Sequence, residues 1–316
     1  MKIIISELMD AAVVDQLRDR FDVSYDAGLV DRPDDLLKAV ANADALIVRN
    51  RTQVNARLLA AAPQLKAVGR LGVGLDNIDV AACEQRGIQV LPATGANALA
   101  VAEYVIASAM LLLRGAYFAS ADVASGAWPR NQLSDGRETS GKALGLVGFG
   151  GIGQLTASLA VKLGMTVYAY DPALADDAPI WRDTGVHPVP LNRLVSEADV
   201  ISLHIPLMDS TKGLFDANLI AQMRPGAVLV NTSRGGIVDE AALVQALQQG
   251  RIGGAALDVF ENEPLPAGNA FPSLPNLLLT PHIAGLTAES NQRVSQLIAQ
   301  RVTDSLSAAS AASARE

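Results

Sequence analysis

One cysteine and three histidines among 316 residues leave little from which to build a disulfide or a metal centre. Cys83 has no partner in the chain, and its helical surroundings make it a small core residue. Aromatic residues make up only 4% of the chain and its formal charge is −8, so the stacking platforms and basic stripes of nucleic-acid binders are missing. Long apolar runs are missing too. The nearest, residues 98–113, is broken by Glu103 and Ser108 and is short for a membrane span, so a helix buried between domains is expected. The opening Met1-Lys-Ile-Ile-Ile-Ser6 turns polar too early for a secretion signal and suits a first strand, which makes the cytoplasm the expected location. Neither a nucleic acid, a membrane nor a metal is expected as a partner.

What is present is apolar and alternating. Half of the residues are apolar, enough for two domains with cores of their own. Across residues 1–96, strand-type runs at Lys2–Ser6, Val23–Tyr25, Ala45–Val48, Ala67–Arg70 and Ile88–Val90 alternate with helical patterns such as 9–20, 33–41 and 55–61. That rhythm implies a parallel sheet covered by helices on both faces. Residues 98–114 form one long helical pattern leading to an irregular arm, 115–141, whose Trp128-Pro129-Arg130 is too apolar to hang in water and could pack on a second subunit. A second alternating stretch follows, with strands at 143–147, 166–170, 200–203, 228–231, 254–257 and 277–280. The final helical pattern, 287–306, is expected to return to the first unit, and the Ala/Ser-rich end to fray, with no further domain after it. The fold class is therefore α/β, two doubly wound parallel-sheet domains with a cleft between them. One comprises residues 1–97 plus 283–316 and the other 98–282.

The second stretch is organised around Gly148, Gly150 and Gly153. They follow a strand, open a helix (154–163), and a second strand then ends in Asp171. Gly148 permits the turn, Gly150 lets backbone approach a pyrophosphate, and Gly153 lets helix pack on strand. The helix N-terminus suits phosphate, and Asp171 lies where a carboxylate accepts ribose hydroxyls. Pro172 follows and no Arg stands near for a 2′-phosphate, so NAD is expected rather than NADP.

Three later loops leave strands at their carboxyl ends. They carry Arg234, then Asp258 with Glu261 and Glu263, then His282. A base must take the hydroxyl proton when a hydroxyl-bearing carbon gives up hydride, and an acid must return it in reverse; His serves both near neutrality. A carboxylate orients the ring, with Glu263 and Glu261 as rivals, and an Arg can hold the substrate carboxylate through two hydrogen bonds. Asp258 suits the nicotinamide carboxamide. His187, in a Gly/Pro-rich loop, is expected to be structural, while His204, before Pro206, lines the cofactor cleft without reacting.

Several motifs in order, Gly69-Arg-Leu-Gly-Val-Gly-Leu-Asp-Asn77, Gly148–Gly153, Leu203-His-Ile-Pro-Leu207, Asn231-Thr-Ser-Arg-Gly-Gly-Ile-Val-Asp239 and Pro281-His282, resemble those of the D-2-hydroxyacid dehydrogenases nearly end to end. The resemblance implies a flavodoxin-like substrate domain and a Rossmann NAD domain, with Arg234, Glu263 and His282 as the catalytic set. It implies NAD contacts at Gly151, Ile152, Asp171, Pro206, Thr232, Asp258 and Gly285, in a cofactor set that also takes in His204, Thr211, Ser233, Arg234 and His282. It further implies homodimers joined through the arm. Some relatives with this fold sense NAD(H) as transcriptional co-repressors, but this chain keeps the full Arg/Glu/His set.

For the substrate, Asn50, Arg51, the backbone of Val73 and Gly74, and Asn97 are the first domain's candidates, beside Arg234 and His282. Arg49-Asn-Arg51 is richer in cation than a monocarboxylate needs, and Arg130 could add another charge. A 2-hydroxy acid with a second anion would explain them. Together with Leu91-Pro-Ala-Thr-Gly95 and Trp128-Pro-Arg130, this pattern looks most like the (S)-sulfolactate dehydrogenases of the family. The leading substrate pair is thus 3-sulfolactate and sulfopyruvate, with 3-phosphoglycerate, hydroxypyruvate or glyoxylate as alternatives. Closure of the first domain over the substrate is a further expectation.

Overall fold

Five short runs rich in β-branched and small residues form the first sheet: Lys2–Ile5 (β1), Asp22–Tyr25 (β2), Ala45–Val48 (β3), Ala67–Arg70 (β4) and Gln89–Pro92 (β5). All neighbours in it are parallel, in the order β2-β1-β3-β4-β5. The molecule is seen in a computed structural model that describes residues 1–271, 274 and 276–313. The chain divides into two units, Met1–Asn97 with Leu286–Glu316, and Ala98–Gly285.

β3 and β4 are buried along their whole length, as expected of central parallel strands covered on both faces. One cover is the final helix, Ala288–Ser313, which packs on β4. Its approach depends on Gly69: a Cβ there would stand 2.7 Å from Ile298 and 2.9 Å from Val302. That helix runs further than the 287–306 pattern, through the Ala/Ser-rich stretch to Ser313, because alanine favours helix. The rest of the expected frayed end, 314–316, lies outside the described residues.

The second unit holds seven parallel strands in the order β12-β11-β10-β9-β6-β7-β8. They are Ala143–Val147 (β6), Thr166–Tyr170 (β7), His187–Pro188 (β8), Val200–Leu203 (β9), Val228–Asn231 (β10), Gly254–Leu257 (β11) and Leu277–Leu279 (β12). β8 corrects the expectation of a loop around His187: Tyr168 pairs with His187 at the sheet edge, and two residues show no alternation to detect. The order reverses between β6 and β9, so the connections that follow these two strands run in opposite directions along the sheet, the point where such sheets hold ligands. The helix Ala98–Arg114 buries Val105, Ala109, Leu112 and Leu113 in one of this unit's cores. Among the described residues no single helix is long and apolar enough to cross a membrane. The arm is less irregular than expected, holding a 3-10 turn at Ala116–Ala119 and a short helix at Ser120–Ala124.

Candidate active site

The glycine loop has the geometry of a pyrophosphate cradle. Gly148 has φ +96°, and a Cβ on it would stand 2.4 Å from the carbonyl oxygen of His204. A Cβ on Gly153 would stand 2.6 Å from the carbonyl oxygen of Gly148, so the helix packs onto the turn only as glycine. At Gly150 and Gly151, by contrast, nothing lies within 4 Å of the position a Cβ would take. The helix starts at Gly151, three residues earlier than its apolar pattern suggests, and no side chain caps its first N–H groups. Open backbone, free N–H groups and a helix dipole together fit a dinucleotide phosphate. Asp171 directly follows β7 and accepts from Phe149 N at 2.8 Å and Ala173 N at 2.9 Å, which ties the acid to the loop and leaves lone pairs for ribose hydroxyls. At the carboxyl end of β10, Thr232 Oγ1 is buried with no hydrogen-bond partner, a polar atom suited to a ligand. Thr211 Oγ1 donates to Pro206 O at 2.7 Å and accepts from Met208 N at 2.8 Å, pinning the loop after β9. His204, in that loop, is half-buried, and burial pushes its imidazole pKa down to about 4, so it is a neutral neighbour bonded to Ser202 Oγ at 3.1 Å.

His282 and Glu263 meet, with Nδ1 and Oε2 2.7 Å apart. Glu263 Oε1 also accepts from Phe260 N at 3.0 Å, so both carboxylate oxygens are fixed. Burial opposes ionisation of this carboxyl, but the bond to His282, the Phe260 N–H and the nearby charges of His282 and Arg234 outweigh it and hold its pKa below the ordinary value. Arg234 is therefore within electrostatic reach of the pair. The rival carboxylate, Glu261, is not bonded to the ring; its N–H donates to Glu240 Oε1 at 2.7 Å. Arg234 is presented by a loop that Asn231 holds from within: Oδ1 accepts from Ser233 N and Nδ2 donates to Arg234 O, each at 3.0 Å. Ser233 is buried and its hydroxyl donates to Leu203 O. Sequence reasoning gave Asn231 no such role, though an Asn ending a buried strand is a turn signal.

Asp258 shows a role that its position in sequence did not reveal. It is 1% exposed, and its carboxylate accepts from Thr280 Oγ1 at 2.6 Å, Ile283 N at 2.8 Å and Ala284 N at 2.7 Å. Its own carbonyl accepts from His282 N at 2.8 Å. His282 takes φ +57°, which a non-glycine residue holds only when its surroundings impose it. Gly285, which the family resemblance implies as a cofactor contact, follows this stapled turn.

In the first unit, the loop after β3 wraps around the buried Glu7 carboxylate, which accepts from the N–H groups of Arg49, Arg51 and Thr52 at 2.8, 3.1 and 3.0 Å. Asn77 braces it by donating to Thr52 O at 2.7 Å. The two arginines have opposite environments. Arg51 is exposed and ion-paired with Asp31, itself exposed. Arg49 is 8% exposed, meets the neutral Asn291, and has its Nε buried without a partner. Burial lowers its pKa, although the charge of the nearby Glu7 carboxylate acts in the opposite direction. Asn50 and Val73 are exposed, Gly74 is half-buried, and Asn97 carries a buried Oδ1 with no partner. Arg130 and Trp128 lie exposed on the arm of the other unit.

A family profile described as D-isomer specific 2-hydroxyacid dehydrogenase, NAD binding domain, matches residues 106–284. The (S)-sulfolactate dehydrogenase of Chromohalobacter salexigens is 50% identical over 304 residues, which cover 96% of this chain and 98% of that protein. The D-3-phosphoglycerate dehydrogenase of Synechocystis is 39% identical over 305 residues, and there the chain spans 54% of the relative's length. Among solved structures, a D-lactate dehydrogenase from Aquifex aeolicus complexed with NAD and lactic acid superposes with a TM-score of 0.84 at 27% identity, covering 98% of this chain and 96% of that one.

Proposed function

The chain belongs to the D-isomer specific 2-hydroxyacid dehydrogenases, and on that premise we propose that it interconverts (S)-3-sulfolactate and sulfopyruvate through Arg234, Glu263 and His282. It is an NAD-dependent oxidoreductase. The bound nicotinamide supplies the carbon that accepts or returns hydride. The observation that carries the chemistry is the 2.7 Å contact of His282 Nδ1 with Glu263 Oε2. A carboxylate there keeps the proton on Nδ1 and leaves Nε2 to take the substrate's hydroxyl proton, or to return it in the reverse direction. Arg234 holds the substrate carboxylate through two parallel hydrogen bonds and polarises the reacting oxygen.

Two facts favour a substrate with a second anion. The relative at 50% identity over nearly its whole length is named for sulfolactate. In addition, the first unit buries Arg49 beside a neutral Asn291. The cation proposed for the sulfonate is therefore Arg49, not Arg51, whose charge is already met by Asp31 in solvent. Asn50, Asn97 and the backbone of Val73 and Gly74 are proposed as neutral partners of the substrate. The sulfonate reading is compatible with the family's D stereochemistry, because sulfur raises the rank of its branch and renames the same arrangement S. We further propose a cytoplasmic homodimer joined through the arm, supported by the exposure of Tyr117, Phe118, Val123 and Trp128 there.

The test is NADH oxidation by the purified protein with sulfopyruvate, phosphohydroxypyruvate, hydroxypyruvate, glyoxylate and pyruvate at matched concentrations. Preference for sulfopyruvate supports the proposal. Preference for phosphohydroxypyruvate or a monoanion keeps the reaction and replaces the substrate. Inactivity towards all five would favour a cofactor-sensing role.

A further inference from the structure

Behind the loop of His282 runs a chain of hydroxyl groups that ends on a helix and touches no reacting atom. Tyr104, in the helix Ala98–Arg114, places its phenol oxygen 2.6 Å from Thr280 Oγ1, and Thr280 Oγ1 lies 2.6 Å from Asp258 Oδ1. A threonine hydroxyl has one proton. Since the carboxylate of Asp258 can only accept, Thr280 gives its proton to Asp258, and Tyr104 must then donate to Thr280. All three hydrogen bonds of the buried carboxylate are thereby fixed in direction, and two of them end on Ile283 N and Ala284 N, the residues that follow His282.

We propose that Tyr104 and Thr280 are positioning residues: acting through Asp258, they hold His282 in its left-handed backbone conformation with its ring on Glu263. Inside a water-poor interior such chains polarise one another, so loss of one member weakens the rest. Burial raises the pKa of Tyr104, which keeps the donor proton in place across the working range. The inference rests on the reading of His282 as the acid–base residue.

The experiment compares Tyr104→Phe, Thr280→Val and Thr280→Ser with the unaltered protein in two measurements. The first is amide hydrogen exchange at Ile283 and Ala284 in the cofactor-free protein, which needs no turnover. The second is steady-state kinetics. Phe and Val should speed exchange at those two amides by about tenfold, since each relies on a hydrogen bond to a buried charge. They should lower kcat by about tenfold, with little change in KM for the 2-oxo acid. Ser should restore both. Normal exchange at the two amides in both Phe and Val overturns the proposal, as does a uniform rise over the whole sheet with no specific effect there. Tyr104→Phe keeps the test open if Thr280→Val folds poorly. Should His282→Asn retain turnover, the acid–base reading fails, and exchange at Ile283 and Ala284 still judges the relay.

Discussion

Gly235 lies flat against the backbone of Phe260, so close that a Cβ on it would stand 1.8 Å from the Phe260 carbonyl oxygen and 2.6 Å from Glu261 N. The contact joins the loop that carries Arg234 to the loop that carries Glu263. No rotamer change relieves a clash between backbones. Gly235→Ala is expected to destabilise the protein by about 3 kcal/mol and to separate the two loops. Chemical denaturation and kcat should both fall; a variant with normal kcat would show that this spacing does not matter.

His282→Asn should lower kcat by roughly a hundredfold or more, the usual worth of a positioned acid–base group. NADH affinity, followed by fluorescence, should largely survive, because the glycine loop and Asp171 are untouched.

The Glu263 carboxyl is held below its ordinary value of 4.5 in the folded protein. The unfolded chain therefore binds a proton more readily than the folded one as pH falls. The stability this gives is complete above the ordinary value and is lost as pH drops through the folded one. In Glu263→Gln that portion of the acid-induced loss should disappear, so the two proteins converge in stability at low pH. A variant that stays equally far below the original at every pH would count against it.

His204 makes a second acid-sensitive contribution of a different origin. Burial lowers its pKa from 6.5 to about 4, so between those values the unfolded protein takes up a proton that the folded one refuses. Stability should decline as pH falls across that window, and His204→Gln should flatten the slope there. Urea denaturation at a series of pH values measures both effects.

Arg49 and Arg51 provide a contrast within one loop. Arg49→Met is expected to reduce kcat/KM for sulfopyruvate about tenfold more than for glyoxylate, since loss of a buried charge pair costs well over 1 kcal/mol. Arg51→Met should change neither by more than about twofold, because its ion pair with Asp31 is screened by water. Equal losses on both substrates would remove Arg49 from sulfonate recognition.

Much of this was legible in the linear chain. Strands such as Ala45–Val48, Val200–Leu203 and Gly254–Leu257 are buried on both faces and announce themselves as short apolar runs between turn residues. The glycine fingerprint is equally local, since turn, open backbone and helix start fall within a few residues. The short edge strand β8 and the length of the final helix were not legible, because two residues carry no pattern and an Ala/Ser stretch suits both helix and frayed end.

The sequence by itself determined the two parallel sheets, the dinucleotide cradle and the kind of chemistry, because each is written in residue type and short-range spacing. Only the tertiary structure decided which glutamate meets His282, which arginine of the β3 loop is buried, and what Asp258 holds. Those are contacts between residues 19 to 242 positions apart, made by neighbouring strand ends and by a helix returning to the first sheet. Nothing in the local sequence tells Glu263 from Glu261 or Arg49 from Arg51; the contact with His282 separates the first pair, and burial the second.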